Sequence, residues 1–391
     1  MNPLAYLDTE LDNLRTQGLY RHLRVLDDKQ AAKSHFDGKA VVNLSSNNYL
    51  GLTTHPKLVE AARKALDEFG AGSGSVRTIA GTMAIHMELE RRLAAFKKVE
   101  AVVVFQSGFA ANAGTVSAIL TKDDAIISDE LNHASIIDGA RLSKATIKVF
   151  PHKDADAARK ILKELPATQR KLLITDGVFS MDGDLGPLPA LCDLADEYGA
   201  IMMVDDAHAS GVFGANGRGT VDHFKMHGRV DIQVGTLSKA LGSLGGYVAG
   251  TKDFIEFLYH RARPFLFSTS HPPGVAAACI AALDILENEP ELIDKLWDNT
   301  RFFKKGLETL GFNTGISESP ITPVIAGEGA LAMKLSDRLF QEGVFASGIA
   351  FPTVARDKAR VRTIVSAAHT REELQYALDV FKKVGSELGL I

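Results

Sequence analysis

The stretch Gly235-Thr236-Leu237-Ser238-Lys239 sets a lysine just after small and hydroxyl-bearing residues. A lysine on such a turn can hold an aldehyde as a Schiff base and then act as a base beside it. Upstream, the apolar run at residues 201–204 ends in Asp205-Asp206-Ala207-His208. A carboxylate ending a buried strand can keep a pyridine nitrogen protonated, which turns the ring into an electron sink. Lys239 and Asp205 together point to pyridoxal 5'-phosphate (PLP) as the cofactor. Each also has a plainer use, since loop lysines are often solvated and an aspartate before a helix commonly caps it. Gly235, Gly242, Gly245 and Gly246 around Lys239 favour close backbone approach instead.

The rest of the cofactor needs partners as well. Gln106-Ser107-Gly108-Phe109 joins an apolar run to a helical pattern. Backbone N–H groups at such a helix start, aided by the Ser107 hydroxyl, form an anion site for a phosphate. Thr236 adds a hydroxyl from the opposite side. His208 can donate to the ring's phenolic oxygen, and His133, in Asn132-His133-Ala134-Ser135, offers a flat partner for stacking. Burial and a nearby cationic ring would lower the pKa of Lys239, as a base requires.

These residues need elements to hold them. Short β-branched runs at 101–105, 125–128, 146–150, 171–174, 201–204, 230–236 and 246–248 alternate with helical patterns such as 155–165 and 188–198. That alternation predicts a mainly parallel sheet covered by helices on both faces. Helical patterning follows from 273 to 310, broken at Pro290. A helix, strand, strand, helix remainder then predicts a small α+β unit. The expected division is an arm with small strands at 1–45, a large cofactor-binding domain at 46–285 and a small C-terminal domain at 286–391.

The 391 residues are 46% hydrophobic and 24% charged, with a net charge of −4, which favours neither nucleic acid nor an anionic membrane as main partner. No apolar run is long enough to span a bilayer. Cys192 and Cys279 lie in apolar helical patterns without metal-ligand spacing. Reduced thiols, no metal and a cytoplasmic location are expected.

Several segments, taken in order, resemble the α-oxoamine synthases, fold-type I PLP enzymes that condense an amino acid with an acyl-CoA. They are Asn132-His133-Ala134-Ser135-Ile136-Ile137-Asp138-Gly139, Thr175-Asp176-Gly177-Val178-Phe179-Ser180-Met181-Asp182-Gly183, Asp205-Asp206-Ala207-His208 and the Lys239 turn. The likeness runs from Leu44-Ser45-Ser46-Asn47-Asn48-Tyr49 to Arg362-Thr363-Ile364-Val365-Ser366, nearly the whole chain. It implies a seven-stranded large domain. It assigns Lys239 to the covalent cofactor link, His133 to stacking, Asp205 to the ring nitrogen, and His208 and Ser180 to the phenolic oxygen. Ser107, Gly108, Phe109 and Thr236 would hold the phosphate, with Ser268 and Thr269 reaching it from a second subunit of a homodimer. Asn47 and Arg362 would hold the amino acid's carboxylate. Phe109 stands where relatives often have tyrosine.

Within the family, Ser75-Val76-Arg77-Thr78-Ile79-Ala80-Gly81-Thr82 resembles the branch that acetylates glycine with acetyl-CoA (glycine C-acetyltransferase). The alternative is the branch that joins L-alanine to pimeloyl-CoA in biotin synthesis, or an enzyme doing both. An aminotransferase usually stacks an aromatic ring and uses tyrosine at the phenolic oxygen, unlike His133 and His208 here. Gly70-Ala71-Gly72-Ser73-Gly74 opens no clear helix, which argues against a nucleotide-dependent dehydrogenase.

Overall fold

Seven strands lie side by side in the order Ala101–Phe105, Gly246–Gly250, Ile232–Thr236, Ile201–Asp205, Lys171–Asp176, Ala125–Asp129 and Thr146–Phe150 in the computed structural model, which describes residues 2–17, 20 and 22–391. Neighbours are parallel, except that Gly246–Gly250 runs antiparallel to both strands beside it. The fold is the mainly parallel α/β arrangement that the alternation predicts.

Strand residues alternate between the two faces of the sheet. Ile126, Ile174 and Met203 pack with Ala111, Val116 and Ile136 on one side. Ile127, Leu173 and Val204 pack with Leu191 and Leu194 on the other. Burial on both faces explains why these strands read as continuous apolar runs. Only the edge strand Thr146–Phe150 is largely exposed.

Because the strands share a direction, their carboxyl ends meet along one edge, where open α/β sheets bind ligands. Asp129, Asp176, Asp205 and Thr236 are the last residues of four of them. Gly246 starts the reversed strand at that same edge, paired with both Phe105 and Thr236. The reversed strand follows the Lys239 turn and lies between Ile232–Thr236 and Ala101–Phe105.

Beyond the helix Pro273–Asn288, Pro290 precedes the helix Glu291–Thr309. The C-terminal unit carries an antiparallel sheet, with Ala359–Ile364 between Ile321–Gly327 and Ser347–Ile349. Its last helix, Arg371–Glu387, begins with a reciprocal cap between Thr370 and Glu373. The hairpin Lys33–Phe36/Lys39–Asn43 pairs through Val42 and Asn43 with Val344–Phe345. Val42 and Leu44 therefore share a core with Phe303, Val324, Val361 and Phe381. Among the described residues, no helix is long and apolar enough to cross a membrane.

Candidate active site

One cavity opens at the carboxyl edge of the sheet. It is lined by Gly108, Phe109, His133, Asp205, His208 and Lys239, with Thr236 also on its wall. Residues separated by more than 130 positions are thus brought together by strand order alone. Ser135, Asp176, Val178 and Ala207 complete the lining.

The helix Gly108–Ile119 points its N-terminus into this cavity. The first N–H groups of a helix have no acceptor within it. The Ser107 hydroxyl accepts from Ala110 N–H at 3.1 Å, leaving the Gly108 and Phe109 N–H groups for a ligand. Ser107 therefore acts as the helix cap. Thr236 abuts Gly108, and its hydroxyl donates to the Gly245 carbonyl at 2.8 Å. A Cβ on Gly246 would stand 2.4 Å from the Ser107 carbonyl oxygen and 2.5 Å from the Gly108 nitrogen, so only glycine admits the reversed strand here. The arrangement fits a phosphate.

Asp205 lies across the cavity floor and is 6% exposed. Its carboxylate accepts from Ala207 N–H at 2.8 Å and from Asn112 Nδ2 at 2.6 Å. The same Asn112 amide donates to Ser135 Oγ at 2.9 Å, and Ser135 Oγ lies 2.7 Å from His133 Nδ1. Ser135 N–H also donates to Nδ1, at 3.2 Å. Nδ1 is thus an acceptor, and His133 carries its proton on Nε2. Burial lowers the His133 pKa, helped by Lys239 and opposed by Asp205. A buried carboxyl group that accepts from two donors and a flat imidazole, tied through Asn112 and Ser135, suit a protonated pyridine ring.

Lys239 stands on the wall. Burial lowers its pKa to about 8, against the pull of Asp205 and Asp176, while Arg362 pushes it the same way as burial. The amine is free to react near neutral pH. His208 is buried, and desolvation with the charges of Lys239 and Arg362 keeps its imidazole uncharged.

Arg362 and Ser180 do not line the cavity but are joined, with Arg362 Nη1 donating to the Ser180 carbonyl at 3.1 Å. Two residues earlier on the same strand, Arg360 donates to the Met181 carbonyl at 3.0 Å and pairs with Asp182 at 2.5 Å. The C-terminal unit therefore grips the loop after the strand Lys171–Asp176. The Asn47 side-chain oxygen is buried without a partner among the described residues. Ser268 and Thr269 lie outside the cavity, and Gln106 Nε2 holds the Thr269 carbonyl at 2.7 Å.

Asn112, which bonds the lining residues Asp205 and Ser135, and Asp176, which lines the cavity, were not singled out from the sequence. Asn112 sits inside an apolar helix and reveals itself only by its contacts. Asp176 is 4% exposed, and one of its oxygens is buried without a partner among the described residues. Desolvation and the nearby Asp205 carboxylate push its pKa well above the usual carboxylate range. Its place at a strand end was the available signal.

A family model described as aminotransferase class I and II matches residues 39–381. An 8-amino-7-oxononanoate synthase from Symbiobacterium thermophilum is 62% identical over 387 residues, covering 99% of each chain. One of the same name from Thermoanaerobacter pseudethanolicus is 56% identical over 392 residues, covering 100% of this chain and 99% of the relative. A serine palmitoyltransferase variant from S. paucimobilis, solved with a bound PLP–myriocin aldimine, superposes with a TM-score of 0.94 at 31% identity, covering 99% of this chain and 98% of that one.

These findings overturn the glycine-acetylating reading, because the high-identity relatives carry the name of the alternative branch. Residues 75–82 make contacts within the fold. Arg77 is buried in an ion pair with Glu90 at 2.8 Å, and Ser75 and Gly81 carbonyls accept from Ser270. None of residues 75–82 lines the cavity of their own chain. The cofactor is PLP, the reaction type is acyl transfer, and the chain belongs to the class I and II aminotransferase family of fold-type I PLP enzymes, among its α-oxoamine synthases.

Proposed function

We propose that the protein is an 8-amino-7-oxononanoate synthase, joining L-alanine to the acyl group of pimeloyl-CoA with release of CoA and CO₂. The observation that carries this reading is 62% identity to a synthase of that name across 99% of both chains. The cavity suits the chemistry. PLP, when bound, supplies an aldehyde that captures the substrate amine and a protonated ring that draws electrons from its Cα.

The protein's own groups do the rest. Lys239, with a pKa near 8, holds the cofactor and moves the Cα proton. Asp205 keeps the ring nitrogen protonated, and His133 stacks on the ring. His208 and Ser180 approach its phenolic oxygen. The Gly108 and Phe109 N–H groups and Thr236 hold the phosphate. Arg362, braced on Ser180, and Asn47 hold the amino acid's carboxylate until it leaves. Ser268 and Thr269, displaced from their own cavity, serve that of a second copy in a homodimer.

The test is thiol release with alanine, glycine and serine against pimeloyl-, acetyl- and succinyl-CoA. Highest kcat/KM with alanine and pimeloyl-CoA is expected. A preference for glycine and acetyl-CoA would refute the reading.

A further inference from the structure

His208 has two ring nitrogens, and only one faces the cavity. Its Nδ1 lies 2.7 Å from the Tyr49 hydroxyl. Its Nε2 has no partner among the described residues, and the ring lines the cavity. Tyr49 is completely buried and meets the imidazole edge-on, with ring centroids 6.1 Å apart at 82°. Its backbone is pinned on both sides: the N–H donates to the Asn47 carbonyl and the carbonyl accepts from Ala367 N–H, each at 2.8 Å.

Two proton arrangements satisfy that contact on paper, and the surroundings select one. A neutral imidazole has one donor and one acceptor nitrogen. If Nδ1 carried the proton, the Tyr49 O–H would need another acceptor. Tyr49 belongs to the core cluster that holds Leu50, Leu52, Leu237 and Ala240, the charged group near its phenol is the Arg362 guanidinium, which can only donate, and the hydroxyl makes no other hydrogen bond among the described residues. A buried donor without an acceptor is costly. The hydroxyl therefore donates to Nδ1, and the ring proton sits on Nε2.

We propose that Tyr49 is a positioning residue for the cofactor site: its phenol fixes the His208 tautomer, so that His208 presents a single N–H donor to the cavity. Tautomer choice set by the partner of the other nitrogen is a general property of histidine. The ligand group this donor suits is a phenolate-type oxygen, and the inference rests on the proposed placement of His208 beside the phenolic oxygen of PLP. A donor there favours the ionised oxygen. Without Tyr49, Nδ1 loses its donor and the ring is free to turn an acceptor toward that oxygen.

The test uses the PLP-loaded protein without substrates. The visible absorbance of the bound cofactor is titrated with pH in wild type, Tyr49→Phe, His208→Phe and the double variant. Loss of the donor should move the midpoint upward by about one unit in each variant, with the double variant no further shifted than His208→Phe. An unshifted Tyr49→Phe beside a shifted His208→Phe overturns the Tyr49 role alone. No shift in His208→Phe overturns both the placement of His208 and the inference. Additive shifts overturn the coupling.

A second measurement needs no Tyr49 variant. Nitrogen-15 NMR of histidine-labelled wild type, with the His208 signal assigned by its loss in His208→Phe, reports the tautomer directly. A proton on Nε2 is expected, and a proton on Nδ1 overturns the proposal.

Discussion

Asp176 and Asp205 stand in register at the ends of adjacent parallel strands, and both carboxyl groups face one cavity. Their partners differ. Asp205 accepts from Asn112 and from Ala207 N–H, while Asp176 keeps one oxygen buried and unpartnered among the described residues. Two such groups side by side do not both ionise readily. Burial and the neighbouring Asp205 push the Asp176 pKa well above the usual carboxylate range, which favours its neutral form.

The pair responds to substitution unequally. Asp176→Asn keeps shape and neutrality, so PLP affinity should stay close to wild type. On the proposed placement, Asp205→Asn removes the carboxylate that faces the ring nitrogen, and affinity should fall by about 10- to 100-fold. Linkage adds a stability effect. A carboxyl whose folded pKa is raised loses stability as pH rises above its unfolded value, because the unfolded chain releases the proton first. Apo Asp176→Asn should thus unfold at a higher temperature than wild type near neutral pH, with the gap closing toward about pH 4. Calorimetry and PLP titration check both statements.

In the proposed role, Lys239 captures the cofactor as the free amine. With its pKa near 8, the rate of PLP capture by apo-protein should rise as pH increases toward 8 and level off above it. Below the midpoint the slope should approach about tenfold per pH unit. Lys239→Ala should capture no PLP covalently while retaining the far-ultraviolet circular dichroism of the fold. Stopped-flow absorbance and mass spectrometry after borohydride reduction provide the readouts.

His152 bridges two carboxylates with no side-chain exposure, Asp129 through Nδ1 at 3.1 Å and Asp184 through Nε2 at 3.0 Å. Despite the opposing effect of burial, these two partners raise its pKa to about 9. A histidine with a raised folded pKa stabilises fully below its unfolded value near 6.5, and this is lost as pH climbs through 9. His152→Ala should cost about 3 kcal/mol near pH 6 and progressively less toward about pH 10. Urea denaturation across that range measures the difference.

Arg362 is the cation braced on the Ser180 carbonyl. Arg362→Lys keeps the charge but loses the two-pronged geometry that matches a carboxylate. We expect KM for the amino acid to rise by roughly 10- to 100-fold, with KM for the acyl-CoA nearly unchanged. Equal changes in both constants would count against carboxylate binding by this residue.

Local patterning made much of the architecture legible. Continuous apolar runs, each followed by a helical stretch, predict a parallel sheet because strands buried on both faces need no polar alternation. Residues that stand at strand ends, such as Asp205, or on the turn after one, such as Lys239, were readable for the same reason. The branch preference drawn from residues 75–82 failed, because relatives of 56–62% identity carry the name of the other branch.

Sequence alone determined the order of strand-and-helix units and the chemical types at their ends, since both depend on neighbours a few residues away. Tertiary structure alone decided that Gly246–Gly250 runs reversed between two strands of the sheet, that Asn112 joins Asp205 to Ser135, and that Tyr49 meets His208 across 159 positions. It likewise set Arg362 against Ser180, 182 residues away. The physical reason is that hydrogen-bond partners and desolvation are properties of packed neighbours, which chain spacing does not encode.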